Sequence, residues 1–177
     1  DTDHDFGCNP CSEIILRPYS FCNLSEVVVR ENDTLESLKE KVRIATILGT
    51  LQSTLVDFKY LRKAWKDNAE EERLLGVSLT GIMDHHVLSK NVDSKRWLDE
   101  MREHAIEVNK NFAQMLGIPQ STAITCVKPS GTVSQLVDAA SGIHARHNDH
   151  FIRTVRGDNK DPLTQFLIDS GVPAERD

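Results

Sequence analysis

The spacing of apolar residues predicts an α/β fold with a largely parallel sheet. Continuous apolar runs such as Val27-Val28-Val29 suit strands buried on both faces, as parallel strands are. Stretches with apolar residues three or four apart suit amphipathic helices. The two patterns alternate along the chain, as crossover connections between parallel strands require. The 177 residues suffice for one domain with a sizeable core.

Taken in order, residues 1–8 are polar apart from Phe6 and are expected to be mobile. Ile14-Ile15-Leu16 reads as a short strand, Arg17 to Ser20 as a turn, and Phe21 to Arg30 as a second strand. Asp33 with Glu36 three residues later resembles a capping box. The helix it opens carries Leu35, Leu38, Val42, Ala45 and Leu48 and runs to about Thr54. A second helix is expected through Phe58, Leu61 and Trp65, ending in the solvated acidic run Glu70-Glu71-Glu72.

Leu74 to Met83 reads as a strand in which Gly76 and Gly81 mark close backbone approach. Adjacent histidines on a strand point to opposite faces, so Asp84-His85-His86 is expected to be a turn, not a metal site. Asp93 to Leu116 is the clearest helix, with Trp97, Met101, Ala105, Val108, Phe112 and Met115 on one face. Gly117 is placed to cap it, Pro119 blocks continuation, and His104 within it is structural.

Ala123 to Val127 is a short buried strand leading into Pro129-Ser130-Gly131-Thr132, after which Ser134-Gln135-Leu136 opens a short helix. Strand, glycine-bearing loop and helix together aim backbone N–H groups at an anion; a plain capped turn is the alternative. Ser141 to His150 is a loop. His144, His147 and His150 would share a helical face as metal ligands, but Gly142 and Asn148-Asp149 oppose a helix. Phe151 to Val155 is expected as a strand. Asp161-Pro162 starts a helix that carries Leu163, Phe166 and Leu167 and ends at Gly171.

Hydrophobic residues make up 39% and charged residues 27%, within the range of globular domains, and no apolar run approaches a membrane span. The net charge of −6 speaks against general nucleic-acid binding. By count, residues 1–120 carry −5, 121–157 carry +2 and 158–177 carry −3. The one positive stretch holds the glycine loop and suits a phosphorylated small molecule. Four unevenly spaced cysteines suggest a reducing compartment with working thiols.

The densest chemistry lies in Cys8-Asn9-Pro10-Cys11-Ser12-Glu13, followed by Cys22. In a loop or short strand, Asn9, Cys11 and Glu13 would aim a carboxamide, a thiol and a carboxylate the same way. Pro10 fixes its φ and suits a stiff loop. Cys8-x-x-Cys11 also admits half of a zinc site or a dithiol redox pair. A zinc site wants a second Cys or His pair nearby, and the redox motif wants a helix at the cysteines.

Asn9-Pro10-Cys11-Ser12-Glu13-Ile14 with Phe21-Cys22-Asn23-Leu24 resembles the finger-loop region of ribonucleotide reductases. Leu75-Gly76-Val77-Ser78-Leu79-Thr80-Gly81-Ile82 is similar to a barrel strand of that family, and Lys128-Pro129-Ser130-Gly131-Thr132-Val133-Ser134-Gln135 to its substrate-phosphate loop. Ser141-Gly142-Ile143-His144 and Ile152-Arg153 continue the match, in the family's order, from about Asn9 to Arg156.

The resemblance implies an α/β barrel of ten strands in two five-stranded halves. Residues 1–177 would form a single partial domain, with the finger loop at 1–20 and strands and helices of the second half-barrel at 21–177. Family members are several times longer and this chain lacks an initiator Met. It is therefore expected to be a piece: a fragment, a cleaved product or half of a split enzyme, completed by an N-terminal half.

By resemblance, Cys11 is the thiyl radical that takes the ribose 3′ hydrogen, Glu13 the base for the 3′-OH, and Asn9 the holder of the ribose hydroxyls. Cys22 is one of two reducing thiols, its partner lying in the N-terminal half. Pro129, Ser130, Gly131, Thr132, Val133 and Ser134 form the phosphate loop. Cys126 matches no family position and reads as a small core residue; Cys8 is unassigned.

The eleven-residue spacing of Cys11 and Cys22 resembles the monomeric adenosylcobalamin-dependent branch, which reduces ribonucleoside triphosphates. Adenosylcobalamin, a thioredoxin-type reductant and a cytoplasmic setting follow from that resemblance, with no metal site, nucleic acid or membrane. His144 and His147 are cobalamin candidates by their chemistry alone. The rival readings are a non-catalytic subunit completing a partner's barrel and a thiol-disulfide protein using Cys8 and Cys11. A glycyl-radical enzyme would need a glycyl-radical loop that is not evident.

Overall fold

The computed structural model describes residues 5–90 and 92–175. It divides into two compact units, Asp1–Arg146 and His147–Asp177. The expectation for residues 1–4 lies outside the described residues.

The first unit opens with a small antiparallel hairpin, β1 (Gly7–Cys8) with β2 (Ile15–Leu16), in which Gly7 faces Leu16 and Cys8 faces Ile15. Next come β3 (Asn23–Val28), α1 (Leu35–Gln52), α2 (Lys63–Glu72) and β4 (Leu75–Thr80). β3 and β4 pair in parallel, from Asn23 opposite Leu75 to Val28 opposite Thr80. A stretch parallel to β4 lies along its other edge. Leu75 N–H donates to Ala123 O and Val77 N–H to Ile124 O, both at 2.9 Å, and Cys126 N–H donates to Val77 O at 3.0 Å. β4 is thus the central line of a parallel arrangement.

Strand alternation gives this sheet two different faces. Val27, Val29, Leu75 and Val77 point to the side where α1 packs Leu38, Val42 and Ala45 and where α4 (Ser94–Leu116) packs Met101 and Ala105. Ile124 and Leu88 complete this core. Gly49 of α1 sits against Leu75, where a Cβ would stand 3.4 Å from its Cδ2. Leu24, Gly76 and Ser78 fall on the opposite face. Among the described residues, no helix is long and apolar enough to cross a membrane.

Local chemistry explains where elements differ from expectation. The cap of α1 is Thr34, not Asp33. Thr34 Oγ1 accepts from Ser37 N–H at 3.2 Å and Ser37 Oγ accepts from Thr34 N–H at 3.0 Å. The Asp33 carboxylate instead accepts from Lys41 Nζ, Arg30 N–H and Ser37 Oγ. α2 begins only at Lys63. Phe58, expected inside it, packs edge-on against Phe21 at 5.1 Å, and Phe21 stacks on Trp65 at 5.6 Å. This aromatic contact stabilises more than another turn of polar helix would.

The expected turn at Asp84-His85-His86 is a short 3₁₀ turn, Ile82–Asp84, followed by α3 (His86–Lys90). His85 is buried. Its Nδ1 accepts from Leu88 N–H, so its Nε2 carries the proton and donates to Asp33 O at 2.9 Å. This histidine is structural. α4 runs as its spacing requires and ends at Gly117, whose φ of 68° is the left-handed cap a glycine accepts at least cost. α5 (Thr132–Leu136) closes the first unit's loop region.

In the second unit, α6 (Pro162–Asp169) begins as expected, with Asp161 Oδ1 accepting from Leu163 N–H at 2.9 Å and Pro at the first turn. Residues 151–155 do not form a strand. The segment has β-forming composition but no ladder partner among the described residues, and an unpaired strand leaves its backbone groups to water.

Candidate active site

The site grows from the hairpin tip. Asn9 Oδ1 accepts from Glu13 N–H and Ile14 N–H, both at 3.2 Å, while Asn9 N–H donates to Ile14 O and Ser12 N–H to Asn9 O. Asn9 Nδ2 then donates to Glu13 Oε1 at 2.5 Å. The carboxamide is therefore a brace within the turn. Ser12 sits at φ 63°, the strained corner that turns the chain between Cys11 and Glu13. Cys11 is exposed at the tip. No helix begins at Cys8 or Cys11, so neither thiol stands at a helix N-terminus.

The glycine-bearing loop meets this tip. Lys128 Nζ lies 2.7 Å from Glu13 Oε1 and donates to Cys11 Sγ at 3.3 Å, across 117 positions of sequence. The Glu13 side chain is 9% exposed and that of Lys128 21%. Burial works against the Glu13 charge, but hydrogen bonds from Lys128, Asn9 and its own N–H outweigh it and hold its pKa below the usual range. The Glu13 bond raises Lys128 in return, against burial, with Cys11 adding to it. Glu13 Oε2 is buried and has no hydrogen-bond partner among the described residues. Such a carboxylate oxygen is costly unless something else binds it.

The loop itself is stiff. Ser134 Oγ donates to Ser130 O and Gly131 O, and Ser130 Oγ accepts from Ser134 N–H at 3.2 Å. Both hydroxyls are buried and point into the loop. Ser141 Oγ donates to Ser130 O from outside. Gly142, at φ 54°, sits so close that a Cβ would stand 3.1 Å from Lys128 O. Pro129, Gly131, Thr132 and Val133 are exposed, and the N-cap of α5, Gly131, has no side chain to cap the helix, so Ser130 Oγ serves the Ser134 N–H instead.

Two further thiols lie behind the tip, on the sheet face away from the helices. A Cβ on Gly76 would stand 3.0 Å from Cys22 Sγ, 3.1 Å from Cys126 Sγ and 2.5 Å from Leu24 Cδ2, so a larger residue there would displace Leu24 and crowd both thiols. Burial pushes the Cys22 thiol up to about 12, with Cys126 and Glu13 adding to it. Cys126 is likewise raised by burial and then by Glu13, with Lys128 opposing. Cys126 is thus not the core residue its apolar surroundings suggest. It is half-buried beside Cys22 and feels the same carboxylate.

Asn9, Cys11, Glu13 and Lys128, the first residue of the 128–134 loop, therefore converge, with the Cys22 thiol near enough to feel the Glu13 charge. His144 is exposed, its N–H bonded to Ser141 O; His147 belongs to the second unit. Among the described residues no group of three or more His, Cys, Asp or Glu is placed to hold a metal ion. Lys128 belongs to the phosphate-loop motif but not to its expected binding residues, Pro129 to Ser134, and Cys126 is a second addition to the site. The signal for Lys128 is its place in that motif, directly before Pro129. For Cys126 there was no signal. A separate cleft of about 390 Å³ is lined by Val29, Arg30, Glu31, Asp84, Asp138 and Arg146. Its two arginines face three carboxylates, Arg146 bridging Asp84 and Asp138 at 2.9 and 2.8 Å.

The fold is similar to part of a ribonucleotide reductase. It matches the crystal structure of a B-12 dependent (class II) ribonucleotide reductase at a TM-score of 0.64 and 23% identity, over 80% of this chain and 23% of that one. The curated relatives are more particular. The chain is 30% identical to the adenosylcobalamin-dependent ribonucleoside-triphosphate reductase of Euglena gracilis, over 96% of this chain and 23% of that protein. It is 27% identical to the enzyme of that name from Lactobacillus delbrueckii subsp. bulgaricus, over 97% of this chain and 26% of that protein. No family model matches. Over nearly its whole length the chain is similar to these reductases, and it spans about a quarter of their length.

Proposed function

We propose that this chain carries the reducing centre of an adenosylcobalamin-dependent ribonucleoside-triphosphate reductase. The observation that carries the proposal is the meeting of the Cys11–Glu13 tip with the 128–134 loop. One side presents a thiol and a carboxylate and the other a stiff turn whose residues Gly131, Thr132 and Val133 are exposed. A ribose fits the first and a triphosphate the second.

In this reading Cys11, as a thiyl radical, takes the 3′ hydrogen and becomes a thiol again, leaving a radical at the 3′ carbon. That radical makes loss of the neighbouring 2′-OH feasible, which a poor leaving group otherwise prevents. Glu13 Oε2 accepts the 3′-OH proton, as a base within hydrogen-bond reach. Asn9 commits its carbonyl and one amide hydrogen to the turn and Glu13, and its other amide hydrogen serves a ribose hydroxyl. Cys22 supplies reducing equivalents, with a partner thiol outside this chain. The Gly131, Thr132 and Val133 backbone, with the Thr132 hydroxyl, receives the phosphates, since the Ser130 and Ser134 hydroxyls are engaged inside the loop.

Adenosylcobalamin, when bound, supplies the oxidising equivalent that makes a thiyl radical. Among this chain's residues the exposed Cys11 sulfur fits that role. No residue of the chain is assigned to holding the corrin. The parallel sheet is read as part of the second half of a ten-stranded barrel, with the rest of the protein supplying the first half. A thioredoxin-type reductant and a cytoplasmic setting go with this reading.

Complementation tests it. The Euglena relative is expressed without its matching quarter and mixed with this chain, adenosylcobalamin, a ribonucleoside triphosphate and a dithiol. The deoxynucleotide formed is measured by chromatography. Product is expected with this chain and not with Cys11→Ser, which should still bind nucleotide. If the relative's own segment restores activity and this chain does not, a non-catalytic role is the better reading.

A further inference from the structure

A lysine in a phosphate-binding loop is ordinarily read as a ligand of the phosphates. The structure assigns Lys128 a different role. It is a positioning residue that keeps Glu13 ionised and its Oε2 free, and it holds the Cys11 sulfur beside that carboxylate. This deepens the proposed function, on which it rests, by adding a residue that acts through Glu13 rather than on the nucleotide.

Three observations carry it. The ammonium is 2.7 Å from Glu13 Oε1 and 3.3 Å from Cys11 Sγ, so its charge is committed to the tip. Both side chains of the pair are mostly buried, where a charge–charge hydrogen bond is screened less than at the surface. Oε1 receives both Lys128 and Asn9 while Oε2 receives nothing among the described residues. Both protein donors crowd onto one oxygen, so the other is left for a ligand.

The ionisable groups that face Glu13 are Lys128 and the thiols of Cys22 and Cys126, with Cys11 next to it through Lys128. The thiols are neutral at neutral pH where burial has raised them, so Lys128 is the cation that decides the state of Glu13. Burial alone would push Glu13 upward. Without the ammonium, Glu13 would retain a proton into a higher pH range, on the oxygen meant to accept one.

Carbon-13 titration of Glu13 in this chain tests the assignment, with Glu13→Gln used to identify its signal, for the native protein, Lys128→Met and Lys128→Arg. Binding of inorganic triphosphate to the same three proteins is measured alongside. Lys128→Met is expected to move the Glu13 midpoint up by at least one pH unit, to change triphosphate affinity less than threefold, and to be largely reversed by arginine. An unmoved Glu13 midpoint with triphosphate binding weakened tenfold or more would overturn the assignment and make Lys128 a phosphate ligand. An unmoved midpoint with unchanged affinity would also overturn it. Neither readout uses turnover, so a failed complementation assay and a failed titration remain distinct results. If Lys128→Met alters the fold, Lys128→Gln, which removes the same charge, takes its place in both measurements with the same expected and overturning results.

Discussion

Asn109 and Glu13 are both buried polar residues, and they are treated in opposite ways. Asn109 is fully buried in α4. Its Nδ2 donates to Thr50 Oγ1 and to Ser121 Oγ, and its Oδ1 accepts from Ser121 N–H, each at 3.0 Å. This network ties α1, α4 and the segment after α4 together with its hydrogen-bonding groups served. Glu13 has one oxygen crowded with donors and the other bare. A closed network stabilises a fold, whereas an open one is a place for a ligand. Under the proposed function, this difference separates residues that hold the molecule together from those that would act in it.

Substitutions should separate the two kinds of residue. The largest effect is expected at Glu13. Glu13→Gln should lower reduction in the complemented assembly by about 10²–10⁴-fold, the usual contribution of a general base, while the melting temperature falls less than for Asn109→Ala. A small loss of activity with a large loss of stability would erase the contrast. Asn109→Ala should do the reverse. Each buried partner left unsatisfied costs about 1–3 kcal/mol, so the melting temperature should drop clearly while the carbon-13 midpoint of Glu13 stays in place. Leu38→Ala in the apolar core, where Leu38 is fully buried, should cost a comparable amount, about 2–5 kcal/mol.

The pH dependence sharpens the contrast further. Glu13 is depressed in the folded chain, so its contribution is present above the ordinary carboxylate range and lost as pH falls through its lowered value. Lys128 is raised, so its contribution is present below the ordinary lysine range and lost as pH rises through its raised value. Acid titration should therefore lower the melting temperature of the native chain more than that of Glu13→Gln. Equal slopes would mean that the contact contributes nothing. The smallest effect belongs to the exposed Lys63–Asp67 pair. Lys63→Met should change stability by no more than about 0.5 kcal/mol.

Much of the scaffold is legible in the sequence alone. The 3-or-4 spacing from Trp97 to Met115 and Gly117 at its end describe α4 nearly to the residue, because helix periodicity and a left-handed cap are local properties. Val27-Val28-Val29 and the glycine-bearing strand through Gly76 are legible for the same reason. Contacts between distant segments are harder to read. Phe58 leaves its expected helix for Phe21 and Trp65, and residues 151–155 have strand composition but no ladder partner among the described residues. Cys126 looks like core because only the fold sets it beside Cys22. At the site, Asn9, Cys11 and Glu13 are visible as a motif. That Asn9 braces the turn, and that Lys128 crosses from the other loop, depends on a fold that brings positions 11 and 128 within a hydrogen bond.

The central claim is that Cys11 takes a hydrogen from the ribose and Cys22 only restores reducing equivalents. Release of tritium from a 3′-tritiated ribonucleoside triphosphate in the complemented assembly tests it most directly. Release should persist with Cys22→Ser, even though no deoxynucleotide accumulates, and should vanish with Cys11→Ser. Continued release from the Cys11→Ser protein would contradict the account.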